Sequence, residues 1–458
     1  MFSSSQARNL SMHQHEQTAM SSETTVLRDP GTGQVPQLRR PVAPDFSTAF
    51  IRVFLMDLWC YVPYYDRYLF ESLARENIDV ILGSVCPYQD PEYFVRNGLP
   101  NDPGLIDIVP KLGISNDPAR RVLMLVESCI NMAALLARFT IWKPDIVHVQ
   151  WIPLIRKLPF ELWFLRAVKK LGIKLVYTAH NVLPHDTGNA LVPVFTQVYR
   201  EMDAIICHTD EAKRRLIREF SVDPERVTVV AHGPLLHDAK LRSVQASKAQ
   251  LSLPENKVLV VWQGIVRSYK GLDFLLESWR KVDTLRLNAH LLIAGTGDAG
   301  LLEAVKEQVH RLHLQESVRL DFRFIPDQEL PTYYQASDIL VYPYREVTTS
   351  GALMTALAYG KPIVATALPA FREVLRDGKT ACLVNYGDVD GLADALTKLI
   401  EDPNERERLA RRVVTSDNFD NSWTHIARQT RQLYIAVLQG IAEEIVSSES
   451  NLAGVPRG

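Results

Sequence analysis

The sequence predicts an α/β protein built from two doubly wound parallel-sheet domains in series. Three observations carry that reading. Short apolar strands alternate with helical stretches, the pattern of a parallel sheet covered on both faces. The alternation runs from residue 49 to 233 and begins afresh at 258, after a charged connector of low periodicity, "LLHDAKLRSVQASKAQLSLPENK" (235–257). A length of 458 residues also suits two domains with extensions, at roughly 100 to 200 residues per domain.

Residues 1–47 are polar, rich in Ser, Gln, Thr and Pro, and lack the apolar stretch of a signal peptide, so they are expected to form a disordered tail. The N-terminal domain (48–240) opens on "AFIRVFLMD", a buried-type strand. The helix "YLFESLAREN", the strand "IDVILGSV" and the long helix "VLMLVESCINMAALLARF" follow. "DIVHVQW" and "IKLVYTAHN" are strands separated by the helix "FELWFLRAVKKLG", and "AIICHTD" and "VTVVAHG" close the series. In the C-terminal domain (241–421) the strands are "VLVVWQG", "AHLLIAG", "VRLDFRFI", "ILVYPY", "PIVAT" and "ACLVNY", each followed by a helical stretch. "WTHIARQTRQLYIAVLQGIAEEI" is a long amphipathic helix over 422–446, expected to cross back to the N-terminal domain, and 447–458 is a second polar tail.

A formal net charge of −2 gives no general reason to expect a nucleic-acid partner. The five cysteines (Cys60, Cys86, Cys129, Cys207, Cys382) form no C-x-x-C pair and no zinc spacing; most lie in apolar runs and read as buried reduced thiols of a cytoplasmic protein. No uninterrupted apolar run reaches the roughly 18 residues of a membrane span, so membrane association is expected to be peripheral.

"HLLIAGTGDAG" (290–300) holds Gly295, Gly297 and Gly300 as G-x-G-x-x-G after a strand, with Asp321 further on, the pattern of a dinucleotide fingerprint. It follows the second strand of its domain, whereas a dinucleotide site uses the first strand–helix turn. A tight turn with Asp298 capping the next helix is the preferred reading. The first turn is "WQGIVRSYKGLDFLLESW" (262–279), where Gly264 is followed by Arg267 and Lys270, a set suited to a diphosphate.

From about residue 50 to 440 the chain resembles the retaining GT-B glycosyltransferases, family 4. "WQGIVRSYKGLDFLLESW", "LLIAGTGD", "IPDQELPTYYQASDILVYPYRE", "SGALMTALAYGKPIVATALPAFREVLRDGKTACLV", "TAHN" and "VVAHGP" carry the resemblance. It implies two Rossmann-like domains facing across a cleft, with the nucleotide sugar held mainly by the C-terminal domain and the acceptor by the N-terminal one. It also implies retention of anomeric configuration and work without a metal. The D-x-D "GDVDG" (387–391) fits that, since Asp388 and Asp390 are better explained as helix-capping residues.

Under this resemblance Arg267 and Lys270 face the donor diphosphate and stabilise charge as the sugar–phosphate bond breaks. Gly264, Gly295, Ser350, Gly351 and Ala352 bind the donor, the last three at the start of a helix whose free N–H groups suit phosphate, and the base lies near Phe324 and Ile325. The family places two glutamates eight residues apart in register with the glycine that is Gly360 here. Those positions hold Val347 and Thr355. Glu346, one residue early, either takes over a sugar contact or is a solvated loop carboxylate, while Thr355 is expected to reach a ribose hydroxyl. His180, at the end of "IKLVYTAH", is expected to open into the cleft near the reacting centre, with a loop-fixing role as the alternative. Asn181, His185, Asp186 and Tyr65 are assigned to the acceptor. His232 and Gly233 either touch donor phosphate or turn the chain.

The stretch 151–174 combines Trp151, Phe160, Trp163, Phe164 and Leu165 with Arg156, Lys157, Arg166, Lys169, Lys170 and Lys174. It fits a helix on an anionic membrane, as a lipid-linked acceptor would require, or equally core aromatics beneath a solvated basic face. The "YREVTTSGAL" variant is similar to bacterial enzymes that extend polyprenyl-linked exopolysaccharide, often with GDP-mannose. The expected activity is transfer of a hexose such as mannose or glucose from a nucleoside-diphosphate sugar to a saccharide, with no cofactor and no metal, in the cytoplasm, either free or peripheral on the inner face of the cytoplasmic membrane. A nucleotide-sugar epimerase and an inactive sugar-nucleotide-binding protein remain as alternatives.

Overall fold

The computed structural model describes residues 50–440 except 88, 101–103, 113, 115–116, 156–159, 185–187, 237–238 and 415–420. The two expected tails therefore lie outside the described residues, as do His185, Asp186, Arg156 and Lys157. The first series of elements is β1 (Ile51–Asp57), α1 (Pro63–Arg75), β2 (Ile78–Ser84), α2 (Tyr93–Arg96), α3 (Asp117–Ile141), β3 (Ile146–Val149), α4 (Phe160–Lys170), β4 (Lys174–Thr178), α5 (Val192–Glu201), β5 (Ala204–Cys207), α6 (Asp210–Phe220) and β6 (Val227–Val229). After α7 (Val244–Gln250) comes the second: β7 (Val258–Gln263), α8 (Leu272–Trp279), β8 (Ala289–Ala294), α9 (Ala299–Arg311), β9 (Val318–Asp321), α10 (Leu330–Ala336), β10 (Ile339–Tyr342), α11 (Gly351–Ala358), β11 (Ile363–Thr366), α12 (Pro369–Val374), β12 (Cys382–Val384), α13 (Val389–Glu401), α14 (Pro403–Val414) and α15 (Trp423–Gln439).

Each series forms a six-stranded sheet, in the orders β2-β1-β3-β4-β5-β6 and β12-β11-β10-β7-β8-β9, and every strand pair is parallel. Near-continuous burial of the strands follows, because helices cover both faces. On the first sheet α3, α4, α5 and α6 pack one face around Phe54, Phe139 and Tyr199. On the other, α1 meets α15, which returns from the end of the chain and seats Trp423, Ile426 and Tyr434 among Tyr65, Tyr68 and Leu69. The Trp423 ring stacks on Tyr68 at 5.6 Å, and the Tyr434 hydroxyl lies 2.6 Å from His148 Nδ1 beneath the sheet.

Strand order decides the ambiguity in "GTGDAG". In the second sheet β7 is flanked by β8 and β10, so the switch point lies between β7 and β10. The glycine pattern follows β8, beyond it. Asp298 caps α9 by accepting from Gly300 N at 2.9 Å, as the tight-turn reading expects. Asp388 likewise caps α13, and Asp390 pairs with Lys281.

Three contacts draw the two sheets' loops together. Glu373 accepts from the backbone N–H groups of Asp210 and Glu211, both at 2.8 Å, so α12 caps the first turn of α6 from across the cleft. The Thr209 hydroxyl donates to Thr348 O at 3.0 Å. On the opposite side, Arg96 pairs with Asp327 at 2.9 Å.

Candidate active site

The loop after β7 turns on two glycines that other residue types would not fit. Gly295 has φ +139°, and a Cβ there would stand 2.0 Å from Gly264 O. Gly271 has φ +66°, and its Cβ would stand 1.9 Å from Pro343 O. Close approach at Gly271 lets the loop after β10 fold over the β7 loop, where Arg345 N donates to Tyr269 O at 2.7 Å.

That closure makes a lodging for Lys270. Its ammonium lies 5.7 Å from the Trp262 ring centroid and 5.6 Å from that of Tyr344, and 2.8 Å from where a Cβ on Gly264 would be. Burial first, and then the charge of Arg267, push its pKa down to about 8. Among the described residues no carboxylate forms an ion pair with it. Arg267 is exposed beside it, and Ser350, which caps α11 by accepting from Leu353 N at 3.3 Å, lies against Tyr344. The expected diphosphate set thus gathers at the switch point between β7 and β10. Ala352 follows on the half-buried first turn of α11, and Gly351 abuts His232 of the first domain, with a Cβ only 3.3 Å from the imidazole.

Beside this set opens a cavity of about 320 Å³ between the domains. Gly264, Gly295, Phe324 and Ile325 form its C-terminal wall, where the base and donor contacts are expected. Trp59, Cys60, Tyr61 and Tyr64 form the other. Their loop is shaped by Asp57 at the end of β1, whose carboxylate accepts from Trp59, Cys60 and Tyr61 N. Burial pushes Asp57 up to about 6 and, with the charge of Asp57, raises its neighbour Asp66 well above the carboxylate range.

The carboxyl ends of β3, β4 and β5 carry a cluster of rings. His180 stacks on Trp151 at 4.7 Å and 9°, and Tyr65 stands edge-on to it at 4.6 Å. His180 Nδ1 lies 3.3 Å from His208 Nε2, and His208 Nδ1 lies 2.9 Å from Val230 O. Burial lowers the pKa of all three cluster histidines, to about 4 for His208 and about 3 for His232. His232 Nδ1 is 2.7 Å from Gly233 O, at the chain's turn toward the second domain.

Three expectations need correction. His180 is only 6% exposed, because Trp151 and Tyr65 enclose it, so the ring does not open into the cleft. Tyr65 is 2% exposed under the histidines and supports them rather than meeting an acceptor. Thr355 is also buried; its hydroxyl donates to Gly351 O at 2.8 Å and accepts from Leu235 N at 3.2 Å, which ties α11 to the connector instead of reaching a ribose. Glu346 is exposed and faces Arg215 of α6, whose charge it helps to hold. Asn181 accepts from the Thr348 hydroxyl at 3.4 Å across the cleft.

Sequence reading passed over His208 and Asp57, although each ends an apolar strand as His180 does. The same positional signal would have found both.

A family described as Glycosyltransferase Family 4 matches residues 62–233, and one described as Glycosyl transferases group 1 matches 256–402. The D-inositol 3-phosphate glycosyltransferase of Mycolicibacterium paratuberculosis is 30% identical over 377 residues, 77% of this chain and 80% of that one. This chain belongs to the group 1, family 4 glycosyltransferases. Its Mycobacterium avium relative of the same description is 27% identical over 77% of the chain and 83% of that relative. Solved structures share the glycosyltransferase's GT-B fold. Anabaena HepE, in complex with UDP and glucose, matches with a TM-score of 0.66 at 16% identity, covering 83% of this chain and 98% of that one. Sucrose-phosphate synthase from Thermosynechococcus elongatus matches at 0.67 and 18% identity, over 85% and 100%.

Proposed function

We propose that this glycosyltransferase moves a hexose from a nucleoside-diphosphate sugar to a saccharide acceptor, with retention and without a metal. One observation carries the reading: a half-buried ammonium, Lys270, with a second cation beside it, held at the switch point against the Gly264 turn. A diphosphate is the ligand that such a pair of cations at a glycine turn suits. As the bond from the sugar's anomeric carbon to phosphate oxygen breaks, Lys270, Arg267 and the start of α11 stabilise the departing charge, and that phosphate takes the acceptor hydroxyl's proton on the same face. The structural neighbour HepE was solved with UDP and with UDP-glucose, which supports a uridine nucleotide beside the GDP expected from the sequence. The test is thermal stabilisation by UDP, GDP, ADP and NAD without added metal. One nucleoside diphosphate is expected to raise the melting temperature through binding to the native state alone; a response to NAD alone would overturn the reading.

The acceptor side supports an uncharged saccharide, and a lipid-linked one suits the membrane face of the cell. Trp59, Tyr61, Trp151 and His180 form a ladder of rings with successive centroids at 6.1, 5.2 and 4.7 Å. The Trp151 Nε1–H is buried without a partner among the described residues. A wall of rings suits the apolar face of a sugar. Trp151→Ala is expected to raise the acceptor KM about tenfold, through loss of the ring that backs Tyr61 in this wall. Nucleotide stabilisation should stay unchanged; an unchanged KM would remove Trp151 from the acceptor site. The vacant glutamate register at Val347 and Thr355 favours one other reading, a nucleotide-sugar binder without transfer, which product analysis with an acceptor panel distinguishes.

A further inference from the structure

Gln263 ends β7, one residue before the Gly264 turn. Alternate residues of a strand share a face, so its side chain falls with Leu259 and Val261, in the layer of Ile325, Leu330 and Tyr334, while Val260 and Trp262 face the other layer. There the Tyr334 hydroxyl donates to Gln263 Oε1 at 2.8 Å. Tyr334 is buried and fixed in turn by stacking on Tyr359, with ring centroids 5.2 Å apart and 10° between the planes. A buried phenol must place its proton on an acceptor, and Gln263 Oε1 is the one that Tyr334 has among the described residues. The amide is thereby oriented, with its oxygen toward α10. Gln263 is half-buried and lines the cavity between the domains, and its Nε2 has no partner among the described residues.

That nitrogen offers two N–H groups and no lone pair, so only an acceptor satisfies it. Its place says which part of the donor it meets. Leu330 and Tyr334 are one turn apart on α10, so an amide held by Tyr334 stands at the Phe324, Ile325 and Leu330 wall, whereas Lys270 lies against Trp262 on the other face of β7. Asp90, the carboxylate that lines the same cavity, is already paired with Arg96 and does not compete as an acceptor for amino groups. We propose that Gln263 selects the base of the donor: its amide donates to a carbonyl oxygen, such as O4 of uracil or O6 of guanine, and rejects cytosine and adenine. Those two bases carry an amino group at the corresponding position, which would set donor against donor and leave Gln263 Nε2 unpaired under the ligand. Turning the amide to offer its oxygen would leave the Tyr334 proton without an acceptor, so the site resists adapting. The inference rests on the nucleoside-diphosphate reading above and adds to it the class of base.

The test is calorimetric titration of the full-length protein with UDP, CDP, GDP, ADP and 2′-deoxy-UDP. The parent is expected to bind UDP at least about tenfold tighter than CDP, or GDP at least about tenfold tighter than ADP, the size of one unmade hydrogen bond to a buried group. Gln263→Glu keeps the shape and the acceptor for Tyr334 but replaces the amide's donors by a carboxylate oxygen, and is expected to bring that ratio to one or invert it. The added charge weakens every diphosphate alike and cancels in the ratio. Gln263→Leu, which adds no charge, is expected to bring the ratio toward one as well. A ratio unchanged in both variants, with UDP or GDP still bound, would overturn this inference alone, as would a parent that prefers CDP and ADP. A loss on 2′-deoxy-UDP that disappears in Gln263→Leu would also overturn it, by assigning the amide to the ribose. Failure of the parent to bind any nucleoside diphosphate would overturn the donor reading and this inference with it.

Discussion

Lys270→Met is expected to lower sugar transfer by about 10²- to 10³-fold, in the range found when one charge-stabilising donor is removed, and at the same time to raise the melting temperature of the nucleotide-free protein. The two effects share one cause. Without a ligand the ammonium lies between Trp262 and Tyr344 with Arg267 as its charged neighbour, and its pKa falls from the usual 10.5 to about 8. Between about pH 8 and 10.5 the unfolded chain therefore binds more protons than the native one, so native stability rises with pH across that window and the penalty is full below it. Methionine keeps the stem and removes the charge. Its advantage over the parent is thus expected at neutral pH and should shrink as pH rises from about 8 toward 10.5. A bound diphosphate reverses the sign by pairing the ammonium, and the variant should lose nucleotide stabilisation. Denaturation curves at several pH values, with and without nucleotide, check both halves. A variant that is less stable without ligand, or still stabilised by the nucleotide, would remove Lys270 from the phosphate site.

What the sequence displays of this site is what local chain geometry decides. Asp298 and Asp388 cap helices two or three residues away, and Gly264, Arg267 and Lys270 share one turn, so their proximity is written in their spacing. Contacts that depend on strand order are different. Nothing in the spacing tells that Glu373 caps α6 across 163 residues, or that Thr355 holds the connector across 120. Burial was the other gap. His180 ends a strand, but its enclosure depends on Trp151 and Tyr65, which come from the end of β3 and from α1. The exposed apolar face of α3 escaped for a related reason. Glu127 and Asn131 interrupt its apolar run, yet both turn inward to hold 106–109, and Val122, Val126 and Ile130 are left exposed with Arg121 beside them. A linear search for an unbroken apolar run does not see a stripe whose interruptions point the other way.

His180→Ala is expected to lower kcat about 10²-fold and to raise the acceptor KM, with nucleotide stabilisation retained. The hydrogen-bond chain explains why one enclosed ring matters so much. Val230 O can only accept, so His208 Nδ1 carries the proton and its Nε2 is a lone pair. His180 Nδ1 must then donate to that lone pair, which leaves His180 Nε2 facing the Gln150 amide at 3.0 Å. Turning that amide so that its nitrogen donates satisfies the imidazole and also the otherwise unpartnered Gln150 Nε2. The result is a neutral imidazole of fixed tautomer, on which Trp151 rests. Alanine orphans His208 Nε2 and removes the backing of Trp151, so the acceptor wall loosens while the donor half keeps its own supports. His180→Asn, able to donate to His208, should recover part of kcat, which a merely space-filling role would not predict. Acid sensitivity gives a second readout. The folded histidines titrate far below 6.5, His208 at about 4, so the stability they contribute is present above 6.5 and is lost as pH falls from there toward 4. Asp57 and Asp66, raised by burial, act in the opposite direction in the same window, so the difference between parent and variant is the informative quantity. That difference should narrow on acidification, because the alanine variant has one fewer buried imidazole to charge. Turnover within twofold of the parent would show that the ring cluster is packing alone and would place the reacting centre entirely on the C-terminal wall.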